Sequence, residues 1–141
     1  MSTLHVFTYG SLMVSSVMEA VTGNRFACRT ALLRGYARFC LEGATYPGLI
    51  PRENATTEGV LYLDVDPSSM ARLDAFEGSF YDRVRVETET AERSRLEAEV
   101  YVVAPRHRHR LSAQTWHLDA FRRDHLEAFL ASYHGFSALG E

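Results

Sequence analysis

The chain has 141 residues, of which 46% are apolar and 23% are charged, a balance that is typical of globular proteins. This length is in the usual range for one domain, so we expect a single domain spanning residues 1–141. No apolar run approaches the roughly 18 residues of a membrane helix, and the N-terminus does not resemble a secretory signal. We therefore expect a water-soluble, cytoplasmic protein without a membrane partner.

The distribution of charge and of potential metal ligands excludes several other classes. The net charge of −3 and the scattered arginines argue against a nucleic-acid partner. A local basic run, Arg106–Arg110, follows Pro105 and is expected to be a solvated loop. Cys28 and Cys40 lack the spacing of a metal or redox pair, and their apolar neighbours predict buried, reduced thiols. The histidines have no HExxH or comparable spacing, so no metal site is predicted.

The first predicted elements are a strand, a turn and a short helix. Residues Leu4–Tyr9 have a β-branched and aromatic centre, which favours a strand that ends in a glycine turn. A helix is predicted over about Ser16–Thr22, because Ser16 and Glu19 have the spacing of a capping box. Gly23 can end this helix in a left-handed conformation.

Two further strands are predicted before the next helix. Thr30–Leu41 is rich in strand-forming residues, and Gly35 within it indicates a bend or a bulge. Gly43–Gly48 breaks this pattern and is predicted to be a loop. Glu58–Val65 resumes the alternation of a strand.

The second half of the chain is predicted to contain a helix and a hairpin. Asp66 followed by proline suits an N-cap and a first helical residue, so a helix is expected over Pro67–Glu77, with Gly78 as its stop. The alternating runs 83–88 and 96–102 are separated by a short charged stretch. This arrangement predicts two antiparallel strands joined by a turn.

The last predicted element is an amphipathic C-terminal helix, with apolar residues near helical spacing from Leu118 to Tyr133. About five strands with two or three helices is too rich in strands for alternating βαβ units. We predict an α+β fold, namely a small mixed, largely antiparallel β-barrel or strongly curved sheet with two or three packed helices.

Glu77 is the most informative residue, because helical spacing puts a carboxylate among apolar neighbours. Met70 and Leu73 define the inward stripe of the helix, and Glu77 lies between them in projection. Burial of an unpaired carboxylate is unfavourable and raises its pKa, which makes it a stronger base. The alternative is that Glu77, beside Gly78 at the helix end, turns into solvent or pairs with Arg83.

Two segments together resemble the gamma-glutamyl cyclotransferase superfamily, which includes gamma-glutamylamine cyclotransferase and the plant avirulence-induced proteins. Val6–Met13 resembles the family's opening strand and its YGSL turn, here Tyr9-Gly10-Ser11-Leu12. Leu73–Gly78 (LDAFEG), followed by Tyr81-Asp82-Arg83, resembles the second signature, whose glutamate is the catalytic acid/base. The Tyr46-Pro47-Gly48 loop between the two segments adds to the likeness.

The resemblance covers Leu4 to about Val103 and implies a small barrel with a cavity where the first turn meets Glu77. It implies release of 5-oxoproline from a gamma-glutamyl amine or peptide, by attack of the substrate's α-amino group on its γ-carbonyl, without a cofactor. Glu77 is then the general acid/base. Fewer residues separate Gly78 from Tyr81 than in the animal gamma-glutamylamine enzymes, so the leaving amine stays open, as do the pathway and the oligomeric state.

The other candidate site residues are expected to bind substrate. The successive N–H groups of Gly10, Ser11 and Leu12 suit an anion-binding nest for the α-carboxylate. Tyr9 and Tyr81 are candidates for hydroxyl donors or cavity walls, with plain packing as the alternative. Ser11 lacks a G-x-S-x-G elbow, so a role in the turn is expected rather than one as a nucleophile.

A competing hypothesis is a non-catalytic protein of the same fold that binds a small anionic metabolite. Glu77 favours the enzyme, because such a binder gains nothing from a buried negative charge. A third hypothesis, a protein-interaction domain that uses the C-terminal helix, rests on Trp116 and on ordinary amphipathicity. Whether Arg83 or Tyr46 contacts the substrate is left open.

Overall fold

The computed structural model describes residues 2–131. Its strands are β1 (Leu4–Thr8), β2 (Cys28–Leu41), β3 (Pro47–Val65), β4 (Tyr81–Thr90), β5 (Arg95–Val103) and β6 (Leu111–Thr115). Its α-helices are α1 (Ser15–Thr22), α2 (Pro67–Glu77) and α3 (Leu118–Asp124), and helical residues continue over 126–131. Short 3-10 turns occupy Ser11–Met13, Gly78–Phe80 and Pro105–Arg110.

Five of the strands close into a barrel. Neighbouring strands follow the order β3-β1-β5-β4-β2, and β2 pairs again with β3 to complete the circle. β1 is parallel to β5, with Val6 opposite Glu99, whereas the other strand pairs are antiparallel. β6 extends the sheet beyond β2. The prediction of a small mixed, largely antiparallel barrel with packed helices is confirmed.

Alternation along the strands produces two apolar layers. Phe7, Leu33, Leu61 and Val100 belong to a cluster supplied by strands, and this cluster fills the barrel. Their chain neighbours point the other way and join a second cluster with the helices, which includes Val6, Val17, Tyr62, Leu73 and Phe121. The helices therefore pack on the outside of the barrel, and α2 is fixed there by its fully buried Leu73.

The strands differ from the prediction at two places. β3 begins at Pro47 rather than at Glu58, because the segment before Glu58 continues the antiparallel ladder with β2. This segment is mostly exposed beyond Ile50 and needs no apolar side chains on either face. Its sequence therefore lacks the alternation by which a strand is recognised. β6 was not predicted either. It is a short strand that pairs with β2 only at Phe39 and Leu41.

The local signals for α2 were read correctly. The carboxylate of Asp66 accepts a hydrogen bond from the Ser69 N–H at 3.1 Å, and Gly78 follows the helix with a φ of 69°. The capping box predicted for α1 is wrong, because Val14 occupies the N-cap and no side chain caps the helix. Gly35 has a φ of 86° and interrupts the register of β2, so the predicted bulge is confirmed.

Both cysteines are free thiols, but the prediction that they are buried is wrong. Cys28 is exposed at the start of β2, and Cys40 is only half-buried. At the other end of the chain, α3 stops at Asp124 before the helical residues 126–131, and Tyr133 of the predicted helix lies outside the described residues. None of the described helices is both long and apolar enough to span a bilayer.

Candidate active site

The two segments that suggested a site in the sequence line one cavity of about 490 Å³. The turn Tyr9–Leu12 follows β1, Glu77 ends α2, and Tyr81 begins β4. The other lining residues are Phe7, Thr8, Leu41, Glu42, Ala44, Tyr46, Pro47, Phe76, Phe80, Tyr101, Arg110 and Phe129. All six candidate site residues are therefore brought together, although their roles stay predictions.

Glu77 presents an unpaired carboxylate to this cavity. Met70 and Leu73 are buried as the helical projection predicted, and Glu77 is half-buried where the end of α2 meets the cavity. Within residues 2–131 its carboxylate has no hydrogen-bond or ion-pair partner. Burial alone raises the pKa of Glu77 from its ordinary value of 4.5 to about 8.

Arg83 does not neutralise Glu77, which corrects one alternative from the sequence. The Arg83 guanidinium lies 3.6 Å from the carboxylate of Asp74 and 3.5 Å from that of Glu99. Arg83 is also not among the residues that line the cavity. A contact between Arg83 and a ligand in this cavity is therefore not supported.

The Tyr9–Leu12 turn is held closely against its surroundings. A Cβ atom at Gly10 would lie 2.7 Å from the Pro47 Cδ, so only glycine allows this approach. The Tyr62 hydroxyl donates to the carbonyl of Leu12 at 2.7 Å and fixes the far end of the turn.

Three consecutive backbone donors in this turn are free to bind a ligand. Among the described residues, the N–H groups of Gly10, Ser11 and Leu12 have no hydrogen-bond acceptor. Such a run of free amides suits an anion. No histidine is among the described lining residues, which agrees with a turn-forming role for Ser11.

Three tyrosines surround Glu77, and their hydroxyl protons are already used by the protein. Tyr9 donates to the carbonyl of Tyr101, Tyr81 to that of Pro47 at 3.0 Å, and Tyr101 to the Asp74 carboxylate at 2.7 Å. Burial raises the pKa of each tyrosine, and the charge of Glu77 adds to this effect. The three tyrosines therefore form part of the cavity wall, and their hydroxyl protons are not available to a ligand.

Several lining residues were missed in the sequence. Tyr101 alternates with Val100 and Val102 and shares its side of β5 with Glu97 and Glu99, yet it is buried where the sheet meets α2. Arg110 ends the exposed basic run that was treated as a loop, and Glu42, beside it, donates its N–H to the Arg110 carbonyl at 2.9 Å. Only the tertiary fold brings these residues to the cavity, so no local signal could have found them.

No metal site competes with this cavity in the part of the chain that the structure describes. Residues 2–131 contain no group of three or more histidine, cysteine, aspartate or glutamate side chains that could hold a metal ion.

The comparisons with known proteins agree with the family that the YGSL and LDAFEG segments resemble. The family model "Gamma-glutamyl cyclotransferase, AIG2-like" matches residues 6–118. AIG2-like protein D of Arabidopsis thaliana is 30% identical over 131 residues, covering 91% of this chain and 86% of the relative. Protein AIG2 C of the same plant is 27% identical over 130 residues, covering 92% of this chain and 78% of the relative.

Solved structures show the same fold. A solution structure of an Arabidopsis thaliana protein matches with a TM-score of 0.74 at 24% identity, covering 99% of this chain and 85% of that one. A structure titled gamma-glutamyl cyclotransferase matches with a TM-score of 0.63 at 18% identity, covering 72% of this chain and 67% of that one. The chain belongs to the gamma-glutamyl cyclotransferase, AIG2-like family.

Proposed function

We propose that this protein is a gamma-glutamyl cyclotransferase-type enzyme that releases 5-oxoproline from a gamma-glutamyl amine or peptide. The α-amino nitrogen of the substrate forms a bond to its own γ-carbonyl carbon, and the bond from that carbon to the leaving nitrogen breaks. The α-nitrogen loses two protons as it becomes the N–H of the lactam. Glu77 takes the first from the α-ammonium group and passes it to the leaving nitrogen, and the second, lost after the ring bond forms, converts the released amine to its ammonium ion. The balanced reaction needs no cofactor.

The observation that carries this proposal is the unpaired Glu77 carboxylate on the cavity wall. A structural carboxylate at such a position is normally hydrogen-bonded or paired with a cation, whereas a general base needs a raised pKa and open access. The cavity supplies both conditions. The ammonium group of the substrate is the missing cation, and its binding favours the ionised form of Glu77.

The free N–H groups of Gly10, Ser11 and Leu12 are the proposed site for the substrate's α-carboxylate. Fixing this carboxylate at the turn and the ammonium at Glu77 leaves the γ-carbonyl to fold back toward the amine. The reaction is intramolecular, so this restriction of the chain supplies much of the rate. Tyr81 and Tyr9 would shape the wall against which the chain folds.

The pH dependence of kcat/KM is expected to follow Glu77. In the empty cavity, the pKa of about 8 leaves the carboxyl mostly protonated at pH 7, and only the ionised form can accept a proton. The value of kcat/KM should therefore rise up to about tenfold between pH 7 and pH 8.5. Initial rates across this range, in buffers of constant ionic strength, check this prediction, and a flat profile would contradict it.

A second candidate function is non-catalytic binding of a small anion in the same cavity. The same raised pKa is compatible with it, because a largely neutral Glu77 does not repel an anion at pH 7, although it adds no attraction either. The nest of amides would then hold the carboxylate of a metabolite that is not turned over. This candidate differs from the enzyme in one observable, which is the formation of 5-oxoproline.

A panel of substrates separates these two functions. The protein is incubated at pH 8 with glutathione, gamma-glutamyl amino acids, a gamma-glutamyl-lysine isopeptide and gamma-glutamyl alkylamines, and 5-oxoproline is measured by mass spectrometry. We expect at least one compound to yield 5-oxoproline together with an equal amount of free amine. Binding of these compounds without any 5-oxoproline would instead support the non-catalytic candidate.

A further inference from the structure

Arg38 on β2 contacts the turn that carries the three free amides. Its Nη1 donates to the carbonyl oxygen of Tyr9 at 2.8 Å and to that of Glu58 at 3.2 Å. Its guanidinium lies over the ring of Trp116, with the Cζ atom 5.4 Å from the ring centroid. Arg38 is not itself among the residues that line the cavity.

Arg38 forms no ion pair within residues 2–131, although the charge of Glu58 acts on it from a longer distance. Its Nε is buried and has no hydrogen-bond partner within residues 2–131. Burial lowers the pKa of Arg38, and the charges that oppose this effect are those of Glu58 and Tyr9. A half-buried cation that makes no ion pair is unfavourable unless some other anion is placed near it.

The carbonyl that Arg38 binds belongs to the same peptide group as the N–H of Gly10. No peptide bond in the described chain is cis, so the Tyr9 C=O and the Gly10 N–H point to opposite sides. A charged donor on the oxygen polarises the whole peptide group and makes its N–H a stronger donor. That N–H is one of the three without an acceptor.

We propose that Arg38 is a positioning residue that fixes the Tyr9–Gly10 peptide and strengthens, through that peptide, the binding of the ligand's carboxylate. The inference rests on the proposed function for the identity of this carboxylate. The ligand's carboxylate is then bound at the N–H end of the peptide group whose carbonyl oxygen Arg38 holds, and it adds a negative charge near a guanidinium that forms no ion pair within residues 2–131. Arg38 acts without touching the ligand.

The test compares 5-oxoproline with its carboxamide, which differ only in the carboxylate group. In titrations of the whole protein followed by NMR, Arg38→Gln is expected to weaken 5-oxoproline binding about tenfold and carboxamide binding less than about twofold. The backbone amide ¹⁵N resonance of Gly10 should also move upfield in the ligand-free variant. Arg38→Lys keeps a charged donor and should largely restore the preference for the carboxylate.

A matched control is Arg52→Gln, which removes a guanidinium that stacks on the Phe39 ring with its Cζ atom 5.5 Å from the centroid, outside the cavity. It should leave both affinities and the Gly10 resonance unchanged. If Arg38→Gln does not fold, Arg38→Met fills the same space without a buried polar group and provides the same comparison.

Two failures are distinguishable. Equal weakening of both compounds, or an unchanged Gly10 resonance, would overturn the role of Arg38 while leaving the proposed function intact. No binding of 5-oxoproline by the wild-type protein, together with no turnover of the gamma-glutamyl panel, would overturn the proposed function and the inference with it.

Discussion

The Glu77→Gln variant is expected to form 5-oxoproline about 10³-fold more slowly than the wild-type protein, because general acid–base catalysis contributes about that factor. Glutamine keeps the size of the side chain but cannot take a proton from the α-ammonium group. Since Glu77 has no partner within residues 2–131, the substitution leaves no other described group unpaired. Turnover of the best substrate of the panel at pH 8, measured by mass spectrometry, checks this prediction.

Glu92→Gln is the matched control for this measurement. Glu92 lies exposed in the turn between β4 and β5 and does not line the cavity, so the same chemical change should leave turnover unchanged. Binding of 5-oxoproline should persist in Glu77→Gln. Wild-type turnover in that variant would remove Glu77 from the mechanism.

Glu77→Gln is expected to raise the free energy of unfolding at alkaline pH by about 3 kcal/mol relative to the wild type. This value is smaller than the full pKa difference would give, because the cavity admits water. The folded protein holds the pKa of Glu77 at about 8, above the ordinary value of 4.5 that applies when unfolded. The stability associated with the protonated carboxyl is therefore fully present below pH 4.5, lost progressively as the pH rises, and absent above pH 8. Glutamine has no such dependence.

Urea unfolding of both proteins at pH 5 and at pH 8.5 measures this effect. The difference in the free energy of unfolding between Glu77→Gln and the wild type should be small at pH 5 and largest at pH 8.5. Taking this difference cancels the contributions of the groups that titrate in both proteins. Glu92→Gln should show no such dependence. An equal difference at the two pH values would mean that Glu77 is not desolvated in the native state.

The parts of the fold that were predicted well depend on local signals. The side-chain cap of Asp66 begins α2 and Gly78, with its positive φ, ends it, so both bounds agree with the sequence. The elements that were missed depend on distant partners. The first half of β3 and the whole of β6 are strands because β2 pairs with them, and their own residues show no alternation that would reveal it.

The candidate site shows the same division. The spacing of Glu77 to Met70 and Leu73 indicated an inward position, because a helix repeats at short range, but it left a solvent-facing Glu77 open until the LDAFEG resemblance was added. Arg38, by contrast, appears in the sequence as one of several arginines on a strand. Its contact with the Tyr9 carbonyl arises only because β2 runs beside that turn in the closed barrel, and no spacing within β2 indicates it.

The parallel pairing of β1 with β5 also determines when the cavity can form. Val6 and Glu99 are neighbours in the barrel but lie far apart along the chain, and folds with such distant contacts fold slowly. During synthesis, β1 and the turn that follows it emerge first, yet the barrel cannot close around them until the ribosome has released β5. The short YGSL and LDAFEG segments therefore form the cavity only within the closed barrel. Grafting them onto another scaffold would transfer the residues but not their arrangement.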